Sequence, residues 1–382
     1  LSAYAKCGAL EKAQEVFEKL SVRDTISWNA LISAYGLKGL HEKSLDCFKQ
    51  MQEENVNPNS VTYICILKAC AHVGSLSIVD DINVEVRKQG LLTKDVALGN
   101  VLVDMYAKHG ALKKAREVFE ELPIRNVVSW TTIITGYLQH GFEFEALKCF
   151  KQMQDGGIQP DLLIYVCILK ACGVVGSLEI GEDIYAKVSK RGLLKKDIVL
   201  GNTLVGMYSK CSALERAQEV FEQLPTRDVV SWNALIAGYA HLGQANVVMD
   251  LYIKMRREDI RPNLITFILL LNACSHAGLV MEGERSFNEM RVVYCLTPTL
   301  EHYTCMIDLF GRAGHFDKAK VVLEKVSSSD RLPQLLAILG ACCKWVNVKL
   351  GRWAFHKSVE LDERCVAAYI SMENIYLGSG MI

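Results

Sequence analysis

The side chains best equipped for covalent or metal chemistry in this 382-residue chain are its fourteen cysteines and nine histidines. Their spacing points away from both uses. A catalytic zinc site that reads His-x-Glu followed by Cys-x-x-Cys holds its metal through the histidine and both thiols and takes its general acid/base from the glutamate, and neither spacing occurs. Cys342 and Cys343 are adjacent, while Cys65/Cys70 and Cys167/Cys172 have four residues between them inside apolar stretches. No histidine is placed for catalysis; His41, His140, His241 and His276 fall near turns between helices, where a surface role is the default. The cysteines instead keep phase: Cys65 and Cys167 lie 102 residues apart, as do Cys70, Cys172 and Cys274. Thiols that follow a repeat read as small hydrophobes in a reducing compartment rather than as disulfide partners.

That interval of 102 organises the whole chain. The stretch SWNALISAYG at Ser27 returns as SWTTIITGYL at Ser129 and SWNALIAGYA at Ser231, and AQEVF, AREVF and AQEVF start at Ala13, Ala115 and Ala217. Met51, Met153 and Met255 keep the same phase, as do Pro58, Pro160 and Pro262. Counting from each Pro-Asn or Pro-Asp terminus divides the period into units of 35, 36 and 31 residues: 127–161, 162–197 and 198–228, with equivalents at 25–59, 60–95, 96–126, 229–263 and 264–299. A partial short unit, 1–24, precedes them.

Each unit reads as two amphipathic helices. In 127–161 the first carries Trp130, Ile133, Ile134 and Tyr137 on one face, and the second carries Ala146, Leu147, Phe150 and Met153. A glycine recurs at the break between them (Gly39, Gly74, Gly110, Gly141, Gly176, Gly243, Gly278, Gly314), where a residue free to take positive φ ends a helix; Ser212 is the exception. One helical pair cannot bury its apolar stripe, so consecutive pairs must stack. The expectation is an all-α fold, a right-handed superhelical solenoid of about ten helix-turn-helix repeats whose inner face offers one equivalent position per unit. Half the residues are hydrophobic, 43 basic residues balance 43 acidic ones, and no apolar run approaches the roughly 18 residues of a membrane span. The chain therefore reads as soluble, without a membrane partner, and the neutral sum leaves room for a basic groove on one face. It opens at Leu1 inside a helical pattern, so the N-terminus reads as missing and no targeting segment can be assessed.

Two helical-hairpin families have periods near 34 residues. The tetratricopeptide pattern wants Gly after W-x2-L, where this chain has Ile32, Ile134 and Ile236, and its unit length does not alternate. In contrast, VVSWNALIAGYAHLG with IRPN, LLIYVCILKACGVVGSLEIG, and LGNTLVGMYSKCSALERAQEVFEQLPTRD resemble, in that order, the three repeat variants of plant-type (PLS-class) pentatricopeptide repeat proteins. LEHYTCMIDLFGRAGHFDKAKVVLEK, within 300–331, resembles the family's final short repeat. Over 332–382, ILGACCKWVNVKLGRWAFHKSVELDE and AAYISMENIYLGSG resemble its C-terminal E-type extension motifs, the second cut short, with Leu335 where the extension usually carries Trp.

The resemblance implies single-stranded RNA as partner, read one nucleotide per repeat by two or three side chains. It places the reading residues at the fifth and last positions of a unit: Asn29 with Asn59, Asn100 with Asn126, Thr131 with Asp161, Asn202 with Asp228, and Asn233 with Asn263. Ile26, Val128 and Val230 resemble the apolar residues that sandwich each base. An Asp carboxylate only accepts hydrogen bonds and so favours guanine and uracil, whose pairing edges carry a ring N–H; an Asn amide can donate to the bare ring nitrogen of cytosine or adenine. With the family's association of fifth-position Asn with pyrimidines and Thr with purines, Thr131–Asp161 implies G, Asn202–Asp228 implies U, and the three Asn–Asn pairs imply C or U. The 36-residue units carry Ile64, Val166 and Ile268 at the fifth position and are expected to space rather than read. In the family's orientation the site over 25–263 is pyrimidine, any, pyrimidine, G, any, U, pyrimidine.

Blander readings stand beside these. Asn100 and Asn202, each after a glycine, could simply cap helices. Trp28, Trp130 and Trp232 could offer stacking faces to bases, although their helical spacing with Ile and Tyr argues for the core. Basic stretches such as SKRGLLKK, from Ser189, either contact phosphates or solvate a helix end. Relatives with such extensions take part in cytidine-to-uridine editing of organelle transcripts, some through a zinc deaminase domain beyond them. Neither spacing of that domain occurs here, so the expectation is a chain that is not an enzyme, needs no cofactor or metal, lacks the deaminase domain and selects an RNA site for a deaminase acting in trans. The resemblance implies a mitochondrion or chloroplast, and a monomer is expected because capped ends close a repeat stack. The alternatives are a helical scaffold that binds protein along its groove, and a truncated copy without a target.

Overall fold

The structure, a computed structural model, describes residues 1–326 and 331–381, apart from the side chain of Lys6. Among the described residues it contains 23 α-helices and no strand. The chain divides into two compact units, Leu1–Val175 and Gly176–Ile382. The first holds α1 (Ser2–Lys6), α2 (Leu10–Glu18), α3 (Thr25–Leu37), α4 (His41–Glu53), α5 (Ser60–Val73), α6 (Leu76–Lys88), α7 (Val96–Lys108), α8 (Leu112–Glu121), α9 (Val127–Gln139), α10 (Glu143–Asp155) and α11 (Leu162–Val175). The second holds α12 (Leu178–Lys190), α13 (Ile198–Lys210), α14 (Leu214–Gln223), α15 (Val229–His241), α16 (Ala245–Arg257), α17 (Leu264–Ala277), α18 (Val280–Val292), α19 (Leu300–Arg312), α20 (Phe316–Leu323), α21 (Leu332–Trp345), α22 (Val348–Leu361) and α23 (Val366–Gly378).

Both units follow one plan of two layers. The odd-numbered helices stack on one another, α1 on α3 through to α9 on α11 in the first unit and α13 on α15 through to α21 on α23 in the second. The even-numbered helices form an outer layer, and each of those from α2 to α10 packs on the odd-numbered helix that follows it, as do α12, α14, α16, α18 and α22. This layering corrects one expectation. The outer helices are amphipathic, as in α14, LERAQEVFEQ, which buries Leu214, Ala217, Val220 and Phe221, whereas most inner helices, α19 apart, are not. An inner helix such as α17, LITFILLLNACSHA, is apolar around most of its girth, because a hairpin partner and stacked neighbours cover it on several sides.

Close stacking needs small residues. A Cβ on Gly136 would sit 2.6 Å from the Cβ of Ala107, and one on Gly238 would sit 2.7 Å from the Cβ of Ser209, so glycine sets how near α9 lies to α7 and α15 to α13. Between the layers the chain turns through one left-handed residue. At Gly141 (φ 72°) the Gly141 N–H donates to the Leu138 carbonyl and the Phe142 N–H to the Tyr137 carbonyl, closing α9. Ser212, the exception in the sequence, adopts the same conformation at φ 59°, and the following Ala213 N–H donates to the Tyr208 carbonyl at 2.9 Å.

A left-handed conformation costs a side-chain-bearing residue about 1–2 kcal/mol, against about 0.4–1 kcal/mol of extra unfolded-state entropy for glycine. Ser212→Gly should therefore stabilise the second unit by up to about 1 kcal/mol. Chemical denaturation of the two proteins checks this, and a loss of stability would show that the serine side chain contributes something the turn geometry does not.

Candidate functional site

Within each unit the stacking of inner helices lines up their N-termini, and these are where the polar residues singled out in the sequence lie. Nearly every inner helix from α3 to α19 starts at a side-chain cap. Asp24, Asn59, Asp95, Asn126, Asp161, Asp197, Asp228 and Asn263 each accept a backbone N–H of the first turn, at 2.8–3.2 Å. The last residue of a unit is thus a helix cap, a role worth about 0.5–2 kcal/mol. Asn100 and Asn202 are not caps: Asp95 and Asp197 hold that position, and the two asparagines lie further along, nearly buried within α7 and α13.

Capping also orients the cap side chain. In Asn59, Asn126, Asp161, Asp228 and Asn263 it is Oδ1 that takes the backbone N–H. The other terminal atom, Nδ2 in the asparagines and Oδ2 in the aspartates, takes no part in these cap bonds. That atom is a donor in one residue type and an acceptor in the other, so a cap whose first oxygen is occupied presents the difference between Asn and Asp to whatever lies against the row.

The fifth-position residues lie one hairpin back and reach across to these caps. Asn29 Nδ2 donates to Asn59 Oδ1, Asn202 Nδ2 to Asp228 Oδ1 and Asn233 Nδ2 to Asn263 Oδ1, each at 3.1 Å. The structure therefore joins three of the five pairs directly. Thr131 instead donates back to the Val127 carbonyl at 2.8 Å, leaving Asp161 with the Ile164 N–H as its partner among the described residues. Asn100 makes no bond to Asn126, and its buried Oδ1 has no partner among the described residues. Ile64, Val166 and Ile268 sit half-buried at the equivalent position and offer no hydrogen bond.

Exposed aliphatic side chains flank the polar row. Ile26, Val128 and Val230 project from the first turns of α3, α9 and α15 with 75%, 59% and 54% of their surface exposed. Val61, Leu163, Val199 and Ile265 occupy the same second position in α5, α11, α13 and α17 and are also exposed. The sequence reading passed over these four, although the repeat phase that picked out the first three applies to them unchanged. Trp28, Trp130 and Trp232 belong to the core, edge-on to Phe17, Phe119 and Phe221 at 4.6–4.8 Å between ring centres, and offer no stacking face.

Electrostatics at the row follow from the same bonds. Burial acts to raise the Asp228 carboxyl, but donation from the Ser231 N–H and hydroxyl, the Asn202 amide and the Val230 N–H outweighs it and holds the group below its ordinary range. Burial pushes the Cys70 thiol up to about 11 and Cys274 up to about 12, which removes them as nucleophiles near neutral pH. Among the described residues no three His, Cys, Asp or Glu side chains are grouped to hold a metal ion, and no helix is long and apolar enough to cross a membrane. His140 is on the surface as expected, yet it also ties neighbouring hairpins, Nε2 lying 2.7 Å from the Ala107 carbonyl. Lys190, Lys195 and Lys196 are exposed around a short 3-10 turn, Leu193–Lys195.

A model of the PPR repeat family matches residues 23–72, 125–174 and 227–276, and a PPR repeat model matches 1–24, 100–127, 202–229, 265–295 and 301–330. A chloroplastic pentatricopeptide repeat-containing protein of Arabidopsis thaliana is 38% identical over 362 residues, 94% of this chain and 67% of that protein. Another from the same plant is 35% identical over 381 residues, 100% of this chain and 46% of its own length, and a mitochondrial one is 34% identical over 379 residues, 99% of this chain and 59% of its own. The chain thus spans roughly half to two thirds of such relatives. The crystal structure of the pentatricopeptide repeat protein PPR10 in complex with an 18-nt psaJ RNA element superposes with a TM-score of 0.75, at 18% identity, over 99% of this chain and 57% of that one. The likeness shows the fold, an array of α-helical repeats.

Because Asp228 is ionised at lower pH in the folded chain than its ordinary value near 3.9, its contribution to stability is present above that value and is lost as pH falls through the folded pKa. In a carbon-13 NMR titration Asp228 should ionise below the ordinary carboxyl range, and Asn202→Ala, which removes one donor, should move it upward. An unchanged Asp228 in the variant would mean that the 3.1 Å contact carries no charge-stabilising bond.

Proposed function

The chain belongs to the pentatricopeptide repeat family, and on that premise we propose that it binds single-stranded RNA sequence-specifically, reading bases with the fifth and last residues of its units. The observation that carries the proposal is the repeated cap geometry: Oδ1 is occupied in every reading cap, so Asn or Asp alone decides whether a base meets a donor or an acceptor. The exposed aliphatic residues at the second position supply apolar contact on either side of a base. The assigned string is pyrimidine, any, pyrimidine, G, any, U, pyrimidine over 25–263, with Thr131–Asp161 opposite G and Asn202–Asp228 opposite U.

In this reading the chain is a PLS-class member whose 332–382 segment forms E-type extension motifs; α21, α22 and α23 pack in the same manner as the hairpins before them. It takes no catalytic step itself. It positions a cytidine for a deaminase supplied in trans, in a mitochondrion or a chloroplast, the two compartments named for its relatives.

Binding of the purified chain to short RNAs carrying this string, with each base in turn opposite the unit 127–161, tests the assignment. G should be favoured by about 1–3 kcal/mol, the scale of one base-reading contact. Thr131→Asn should move the preference to U, and Asp161→Asn should move it to A, because the outward atom changes from acceptor to donor. Equal binding of all four bases by all three proteins would overturn sequence reading and favour a protein-binding scaffold.

A further inference from the structure

Two of the reading pairs contain a third member that the fifth-and-last rule leaves out. Thr62 and Thr266, third residues of the units that follow Asn29–Asn59 and Asn233–Asn263, are fully buried. Each hydroxyl donates backward to the fifth-position asparagine, Thr62 Oγ1 to Asn29 Oδ1 at 2.7 Å and Thr266 Oγ1 to Asn233 Oδ1 at 2.8 Å. Each also accepts from the backbone N–H of the cap, Asn59 or Asn263, at 3.1 Å, and has the cap Oδ1 as a longer second acceptor at 3.2 and 3.1 Å, so a rotation of the pair removes both of its acceptors. The asparagine is therefore held at both ends, Nδ2 giving to the cap and Oδ1 taking from the threonine. The other three pairs lack this closure. Ser129 and Ser231 occupy the third position after Asn100 and Asn202, and their hydroxyls turn to the caps Asn126 and Asp228. The Oδ1 atoms of Asn100 and Asn202 are left buried without a partner among the described residues. Behind Thr131 the third position is Ile164, which has no hydroxyl to give.

We propose that Thr62 and Thr266 are specificity-determining positioning residues, which lock the Asn29–Asn59 and Asn233–Asn263 pairs into a donor-only face that selects cytosine over uracil. The inference rests on the base-reading proposal above and sharpens it at two nucleotides. The pyrimidines differ at N3, an acceptor in cytosine and an N–H donor in uracil. A cap amide with Nδ2 outward suits cytosine. To accept uracil, Asn59 must rotate Oδ1 outward, and Asn29 must then turn its own Oδ1 toward the Nδ2 that replaces it. That concerted rotation breaks the cap bond in any Asn–Asn pair, and here it also strands the buried threonine hydroxyl, whose loss in a dry site is costly. In Asn100–Asn126 the fifth-position amide is not bonded to the cap, so only the cap and the Ser129 hydroxyl that donates to it need turn, without the concerted rotation of a second asparagine held at both ends, and the pair reads both pyrimidines more evenly.

The test uses the whole chain and RNAs that vary C against U opposite 229–263, with Asn202–Asp228 opposite its own nucleotide as an internal reference. Thr266→Val removes the hydroxyl at nearly constant shape and should lower the C-to-U affinity ratio about three- to tenfold, the range for one hydrogen bond, leaving the U-to-C ratio opposite Asn202–Asp228 unchanged. Thr266→Ser keeps a hydroxyl and should retain most of the ratio. A general loss of folding would move both nucleotides together, and thermal melts of each variant separate that case. A wild-type C preference that persists within twofold in Thr266→Val overturns the lock while leaving base reading intact. No base preference opposite 229–263 in the wild type overturns the reading itself and the lock with it.

Discussion

A helix that is apolar on most sides cannot finish its folding within one hairpin, and the structure depends on that constraint. α17 buries residues toward its hairpin partner α18 and toward its stack neighbours α15 and α19, so the chain must supply another helix of similar pattern at a fixed spacing. Outer helices need cover on one face only and can be strongly charged on the other. The alternation of very apolar and amphipathic segments is thus the sequence form of a two-layer stack. The close-approach glycines, Gly136 and Gly238, keep inner helices near enough for this cover to be complete.

Stacking then creates a chemical surface that no hairpin has alone. Inner helices placed side by side bring their first turns into a row, and each first turn needs a cap because its leading N–H groups have no partner within the helix. The cap is a structural requirement, and Asn and Asp meet it equally well through Oδ1. What remains free is the atom in which they differ. The same residue can therefore stabilise a helix while Asn and Asp still differ in an atom the cap bond does not use, which is the premise of the proposed base reading.

Parts of this arrangement were legible in the sequence. The period of 102 located the fifth- and last-position pairs, and Trp130 with Ile133, Ile134 and Tyr137 announced a core face that the structure confirms as buried. The third-position threonines were not legible, since Thr62 is an ordinary capping residue until Asn29, 33 residues earlier, is known to lie against it. Nor was the conformation at Ser212, because a serine there looks like a lapse in the glycine pattern; the turn demands the left-handed region whichever residue occupies it. The tie between His140 and Ala107 is of the same kind, a contact between hairpins that no local pattern encodes.

Local properties, then, were determined by the sequence itself: helix periodicity, the polar character of the fifth and last positions, the absence of metal-binding spacing, and the repeat that demands stacking. These depend on residue type and on distances along the chain. Only the tertiary structure decided which oxygen of each cap is occupied, which asparagines are joined to their caps, and which are held by a threonine. Those outcomes turn on the placement of side chains from successive hairpins to within a few tenths of an ångström, and a hydrogen bond either forms or fails over that range.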